Sequence, residues 1–305
     1  MPRAHEPARP QHQHLHQDPH QQVTDRIIAD LETGVRPWTR PWADGGMGVR
    51  PLRHDGQPYH GVNVLTLWAE AALRHYSVPV WMTFRQALAL GGAVRKGEKG
   101  VRVVYANRLV RTDSDAPERA PERHIGFLKS YTVFNLRQIE GLEDRYPTAP
   151  TSSLDPALKV VAIEAFFAAT GAVIGHGGVQ AYYAPGPDRI QMPPFETFAD
   201  AEGYYATLGH EMTHWTRHPT RLDRDFGRQR FGDEAYAREE LVAELGAAFL
   251  CADLDLTLEP RPDHAAYLAS WLQVLRADKR FIFSAAAHAE RAVAFLQGLQ
   301  SEPPE

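Results

Sequence analysis

Two histidines four residues apart, His210 and His214, enclose a glutamate in the run His210-Glu211-Met212-Thr213-His214. On a helix, positions four apart share a face, so both imidazoles can reach one ion from the same side. Glu211 follows the first ligand and projects beside the pair, where it can take a proton from a polarised water without being a ligand itself. That is the physical content of the H-E-x-x-H pattern, and the chemistry it suits is metal-assisted attack of water on a carbonyl, with Glu211 as general base.

Two histidines leave such a site one protein ligand short. The best source of a third is Glu239-Glu240-Leu241-Val242-Ala243-Glu244-Leu245-Gly246, where acids interrupt an otherwise apolar helical stretch. Carboxylates on an apolar helix need partners, and a metal with its histidines supplies them. Glu240 is assigned as the third ligand. Glu244, one turn on, would accept the second ring N–H of a ligand histidine. Glu239 is the competing ligand, with a solvent-facing residue as its plainer reading. Gly246, Ala247 and Ala248 would let this helix pack closely on the one carrying the histidines. His218, Asp223 and Asp225 are alternative ligands, although Pro219 takes the chain out of the helix after His218. His176, between glycines, stays open, and Tyr182, Tyr183 and Tyr236 are equal candidates for stabilising an oxyanion. The ion is expected to be zinc, with another divalent metal such as manganese also suited to nitrogen and oxygen donors.

The elements that must position these groups follow from pattern. No proline interrupts 200–218, and Thr197 or Asp200 offers a polar helix start. A second long helix is predicted over 235–250, further helices over 157–169, 264–275 and 284–297, and short strands over 173–174, 181–183 and 189–192. The segment 182–192 could supply an edge strand for an extended peptide. Residues 147–156, rich in proline, serine and threonine, read as a linker between two domains.

The front half has a different character. Residues 1–20 read as a disordered tail rich in His, Gln and Pro. Helices are expected over 23–31, from Asn63 as cap to about residue 76, and within 80–90, with Thr83 or Thr66 as polar starts. A glycine-rich basic turn, 91–100, feeds a strand over 101–110, which returns over 127–135 as an antiparallel ribbon. The net charge of -5 hides an asymmetry: residues 1–145 hold 20 Lys and Arg against 16 Asp and Glu, and the remainder 13 against 22. Between Arg74 and Arg108 seven basic residues accompany one acid, Glu98, with Tyr76, Trp81, Phe84 and Tyr105 interleaved and Tyr131 nearby. Basic grooves with aromatic platforms suit single-stranded nucleic acid. The candidate contacts are Trp38, Arg85, Arg95, Lys96, Lys99, Arg102 and Tyr105. The turn lacks the spacing of a nucleotide-binding loop. One cysteine, Cys251, excludes an intrachain disulfide scaffold, and no apolar run is long enough for a membrane span. A cytoplasmic protein is expected.

Long segments of both halves resemble the ArdC-type antirestriction proteins of plasmids and other mobile elements. They include Gly61-Val62-Asn63-Val64-Leu65, Trp81-Met82-Thr83-Phe84-Arg85, the 92–100 turn, Tyr131-Thr132-Val133-Phe134-Asn135, Gly209 to Thr216 and Arg238 to Ala248. The resemblance implies an α+β chain: a small α/β single-stranded-DNA-binding domain over 21–146, then a mostly helical zincin-like metallopeptidase domain over 157–301. It implies His210, His214 and Glu240 as metal ligands and Glu211 as catalytic acid. It further implies single-stranded DNA as partner, with double-stranded DNA and a host protein or peptide substrate as further candidates.

Overall fold

A computed structural model describes residues 18–34, 38, 50–111, 123–146, 156–227, 233–256 and 264–300. The chain is α+β, a mixed first half followed by a mostly helical second half. Helix α1, Pro19–Glu32, is capped by Asp18 and buries Val23, Ile27 and Leu31 from one stripe. It takes in the last two residues of the expected tail, with Asp18 of that tail as its cap; residues 1–17 lie outside the described residues. Strand β1, Leu52–Arg53, precedes helix α2, Val62–Arg74. Strand β2, Val80–Thr83, hands over to the short helix α3, Phe84–Ala89, where Thr83 and Gln86 form a capping box. Strand β3, Ala93–Val94, follows, then β4, Val101–Arg111, β5, Arg123–Asn135, and β6, Ile139–Glu140. The charged, proline-containing segment 112–124 reads as a loop; its last two residues, Arg123 and His124, open β5 instead, and the rest lies outside the described residues.

A four-stranded sheet runs β1-β2-β5-β4, with β1 parallel to β2 and the other pairs antiparallel, while β3 and β6 form a separate pair. The ribbon's inner face follows from alternation. Val101, Val103 and Val133 are buried on one face, where β4 packs on α2, and Val101 lies opposite Val133. Asn63 does not cap α2, as its residue type suggested. Gly61 occupies the cap with φ of 59°, and the Asn63 side chain instead reaches the open edge of β4, donating to Val104 O at 2.7 Å and accepting from Val104 N at 2.8 Å.

The second half begins with helix α4, Pro156–Ala169; the expected linker before it lies outside the described residues apart from Pro156. Strands β7, Val173–His176, β8, Tyr182–Ala184, and β9, Arg189–Met192, make a sheet ordered β7-β9-β8, which leaves β8 at its edge. Helices α5, Ala201–Trp215, α6, Glu234–Asp253, α7, His264–Ala277, and α8, Phe281–Gly298, complete the chain. No described helix is long and apolar enough to cross a membrane.

The two halves share one hydrophobic core. Trp68 of α2 meets Phe249 of α6 at 6.1 Å between ring centroids, and Trp38 meets Trp271 of α7 edge-on at 5.6 Å. Thr24 of α1 donates to Lys279 O at 2.6 Å. A buried arginine adds a polar clamp. Arg50 donates through Nε to Asp253 Oδ1 at 2.7 Å and through Nη1 to Glu290 Oε1 at 2.6 Å, and its guanidinium lies over the Phe249 ring. Glu290 also accepts the Gly61 N–H at 3.1 Å. A buried arginine is tolerated here because two carboxylates and a ring face replace its water.

Candidate metal centre and nucleic-acid surface

Helices α5 and α6 build the centre. Asp200 caps α5 by accepting Gly203 N–H at 2.7 Å, which starts the helix at the phase that turns His210 and His214 toward α6. Close approach comes from Gly246: a Cβ there would sit 2.5 Å from Thr213 Oγ1 and Cγ2 on α5. His210, His214 and Glu240 are all buried, and their donor atoms lie within 4.8 Å of one another. The Nε2 atoms of His210 and His214 stand 3.5 and 3.4 Å from the two Glu240 oxygens. His218 bonds Thr220 instead, and neither it nor Asp223 or Asp225 joins this cluster.

Each histidine is held from behind by a carboxylate. Glu244 Oε1 lies 3.3 Å from His210 Nδ1, and Glu239 Oε1 lies 3.1 Å from His214 Nδ1. Glu239 is therefore neither a ligand nor a surface residue; it is 1% exposed. Arg224, from the segment after α5, grips it with Nε to Oε2 at 2.8 Å and Nη2 to Oε1 at 2.7 Å, and Nη2 also donates to Thr213 O at 2.8 Å. The hydrogen bond to Glu239 orients the His214 ring, while Glu244 stands close to His210 Nδ1 without a hydrogen bond between those two atoms.

Electrostatics test whether an ion fits. Glu211, Glu239, Glu240 and Glu244 are all buried, and among the described residues Arg224 is the buried arginine that faces them. Burial pushes Glu240 up, but the two histidines outweigh it and hold its carboxyl far below the usual range. Burial likewise works against a charged His214, yet Glu240 and Glu239 raise it to about 10. Glu239 is held at about 2, where Arg224 and then His214 overcome burial. Four buried carboxylates exceed the positive charge that Arg224 and a protonated His214 supply together, and a divalent cation at the triad, taking the place of the His214 proton, provides more. The residues fit the ion.

The centre opens into a cavity of about 820 Å³. Glu211 lines it, as do Tyr182 and Tyr183 of the edge strand β8 and Tyr236 and Tyr267 opposite. Tyr236 O and Tyr267 O are 3.0 Å apart, and burial, then Glu240, raises the Tyr236 phenol well above its ordinary value. Tyr183 donates to Asp188, which Arg221 also holds at 2.9 Å, tying the β8–β9 turn to the segment after α5. His176 pairs with the Tyr204 hydroxyl at 2.8 Å.

The basic and aromatic candidates of the front half separate. Trp38 is 1% exposed and packs on Trp271, which leaves no ring face for a base. Arg95 pairs with Glu98 at 2.8 Å and bonds Arg137 O, in the turn that also holds Lys96. Lys99 and Arg102 line a cavity of about 310 Å³ that contains Asp30 and Glu70 as well. Arg85 and Tyr105 face a different groove, of about 650 Å³, together with Phe84 and Tyr131. Phe84 and Tyr131, aromatics of the same basic stretch and its surroundings, are not among the candidate contacts. Arg224 and Tyr267 carried no local signal at all.

Residues 161–288 match the zincin-like metallopeptidase family and residues 17–134 the N-terminal domain of anti-restriction factor ArdC. The crystal structure of antirestriction protein ArdC from plasmid R388 superposes with a TM-score of 0.77 and 47% identity in its metal-free form, over 92% of this chain and 97% of that one. The Mn(II)-bound form of that protein gives 0.76 and 46%, over 92% and 98%. An uncharacterized protein of Sinorhizobium fredii, y4eC, is 43% identical over 93% of both chains. A DNA primase TraC of Escherichia coli is 37% identical over 93% of this chain, which spans only 27% of that relative's length.

Proposed function

The chain belongs to the ArdC antirestriction family, and on that premise we propose that it is a cytoplasmic protein of a mobile element that protects incoming DNA by binding it as a single strand. The second domain, over about 157–301, carries a divalent-metal centre that holds this half in its binding-competent form. The observation that carries this reading is that the likeness to an antirestriction protein runs through both halves and the core joining them. Zinc or manganese suits the donor set of two imidazoles and a carboxylate. The domains are read as 21–146 and 157–301.

The test has two parts. Transfer of an unmodified plasmid into a restricting host is expected to rise when the recipient or the plasmid supplies this protein. In gel shifts the protein is expected to retain single-stranded oligonucleotides, with affinity falling steeply as salt rises. No protection and no retention at low salt would remove the reading.

Peptide hydrolysis is the second reading, favoured by the position of Glu211 in the cavity beside the edge strand β8. A bound divalent ion would polarise a carbonyl and acidify a water there. Glu211 would hold the abstracted proton and return it to the leaving amine. The outer edge of β8 would align an extended segment of a peptide or host protein by main-chain hydrogen bonds. Tyr236 stands near Glu240 with its proton retained, suited to donating to a developing oxyanion. Glu211→Gln is expected to keep the metal and abolish any cleavage; retained protection in that variant assigns the metal a structural role, and lost protection assigns it to catalysis.

A further inference from the structure

We propose that single-stranded DNA lies in the groove on the face of the four-stranded sheet that carries Val101, Val103 and Val133, its bases stacked on Tyr105, Tyr131 and Phe84 and its phosphates met by Arg85 and Arg53. This rests on the DNA-binding reading and adds the site. Register places the two tyrosines together. Tyr131 is opposite Val103, so Tyr105, two residues along β4, shares its face as the diagonal neighbour. Such diagonal pairs stand about 7–8 Å apart, within reach of successive bases of an extended strand. Phe84 enters beside them because Thr83, which precedes it, pairs with Val133, two residues from Tyr131 on the same face.

These rings are exposed where their aromatic neighbours are not. Tyr105, Tyr131 and Phe84 are 47%, 45% and 49% exposed, whereas the neighbouring Tyr59 and Trp81 are buried in the core. Three large rings left half in water along one groove cost hydrophobic free energy that a ligand with flat faces would recover. Charge then identifies the ligand. The groove contains two arginines and, among the described residues, no Asp or Glu. The adjacent cavity with Lys99 and Arg102 differs: Glu70 there pairs with Arg26 at 2.8 Å and with Arg74 at 3.3 Å. An anionic polymer therefore meets uncompensated guanidinium groups in the first groove and paired ones in the second. Stacking faces and cationic side chains together suit a single strand, whose bases are accessible, better than a duplex, whose bases are not.

The experiment uses the full-length protein and a fluorescein-labelled single-stranded oligothymidine, read by anisotropy across a salt series. Tyr105→Ala and Tyr131→Ala are each expected to weaken binding about 5- to 150-fold, the range of one lost stacking contact. Tyr105→Phe and Tyr131→Phe should restore it, because the ring and not the hydroxyl is used. Arg85→Ala should flatten the slope of log affinity against log salt by about 0.7, one phosphate contact on a single strand. Lys99→Ala should weaken binding less than Arg85→Ala. Wild-type binding with alanine variants indistinguishable from it would overturn the groove and leave the DNA reading standing. Absence of wild-type binding at low salt would overturn both, and tight duplex binding lost in the same variants would replace the single strand by a duplex as occupant.

Discussion

Arg224 and Glu239 form a two-pronged ion pair, 2.8 Å and 2.7 Å, beneath the imidazole of His214. Neither residue is a ligand, and the arginine belongs to no helix of the site. The pair matters because the same carboxylate meets His214 Nδ1 at 3.1 Å, so one loop residue sets the orientation of a metal-binding side chain.

Arg224→Met is therefore expected to strand a buried carboxylate. Breaking one partner of a buried pair typically destabilises by about 3–5 kcal/mol. Metal affinity should fall about 10- to 100-fold, the usual effect of losing such an outer partner. Urea denaturation and competition against a chromophoric chelator measure the two effects. Arg224→Lys should recover part of the stability and less of the affinity, since one ammonium cannot reproduce the fork.

The approach of α5 to α6 depends on the missing side chain at Gly246. Gly246→Ala would drive a methyl to 2.5 Å from Thr213, with both helix backbones fixed by their own packing. Overpacking of this kind costs about 1–3 kcal/mol. Because the same displacement separates the histidines from Glu240, thermal stability and metal affinity should fall together. Gly246→Ala paired with Thr213→Ala should recover much of both.

The Arg50 clamp gives the joint between the halves a pH dependence. Burial raises Glu290, but Arg50, His60 and the Gly61 N–H outweigh it and lower its pKa. A carboxyl whose folded pKa is depressed stabilises the fold above its unfolded value of about 4.3, and that contribution is lost as pH falls through the folded pKa. Burial raises Asp253 above its ordinary value, so Asp253 acts in the opposite sense. Glu290→Gln should lower stability at neutral pH and flatten the acid limb of a plot of melting temperature against pH. Arg50→Met should destabilise by an amount toward the lower end of the ~3–5 kcal/mol of a fully buried pair, because its partners retain some solvent.

Asn63 offers a smaller test. Its amide takes the place of a neighbouring strand at the edge of β4, serving both the N–H and the C=O of Val104. Asn63→Ala leaves two backbone groups to find water, at a cost of about 1–3 kcal/mol. Hydrogen exchange should show faster exchange at Val104, with the α5–α6 amides unchanged.

The parts of the site that were legible in the sequence are those that repeat at helical spacing. His210 and His214 announce a shared face, and Glu240 and Glu244 stand out because they break an apolar stretch one turn apart. Glu239 was not legible, because α6 is buried on nearly every side and position on the helix no longer separates inside from outside. Arg224 was hidden for another reason: its partner is brought to it only by the packing of α6 on α5. Trp38 shows the same limit. Its tryptophan in a proline-rich basic stretch looks like a stacking platform, while its true neighbour, Trp271, comes from a helix of the other half. Tyr105 follows two buried valines in alternation and still points to solvent, because the sheet there has run past the helix that covers it.

One divalent ion is expected between α5 and α6. Anomalous diffraction at the manganese edge from crystals of the full chain soaked in Mn(II) tests it directly. One strong peak is expected within bonding distance of His210 Nε2, His214 Nε2 and a Glu240 oxygen, absent in a His214→Ala crystal soaked alike. A dominant peak elsewhere, or none at this position, would contradict it.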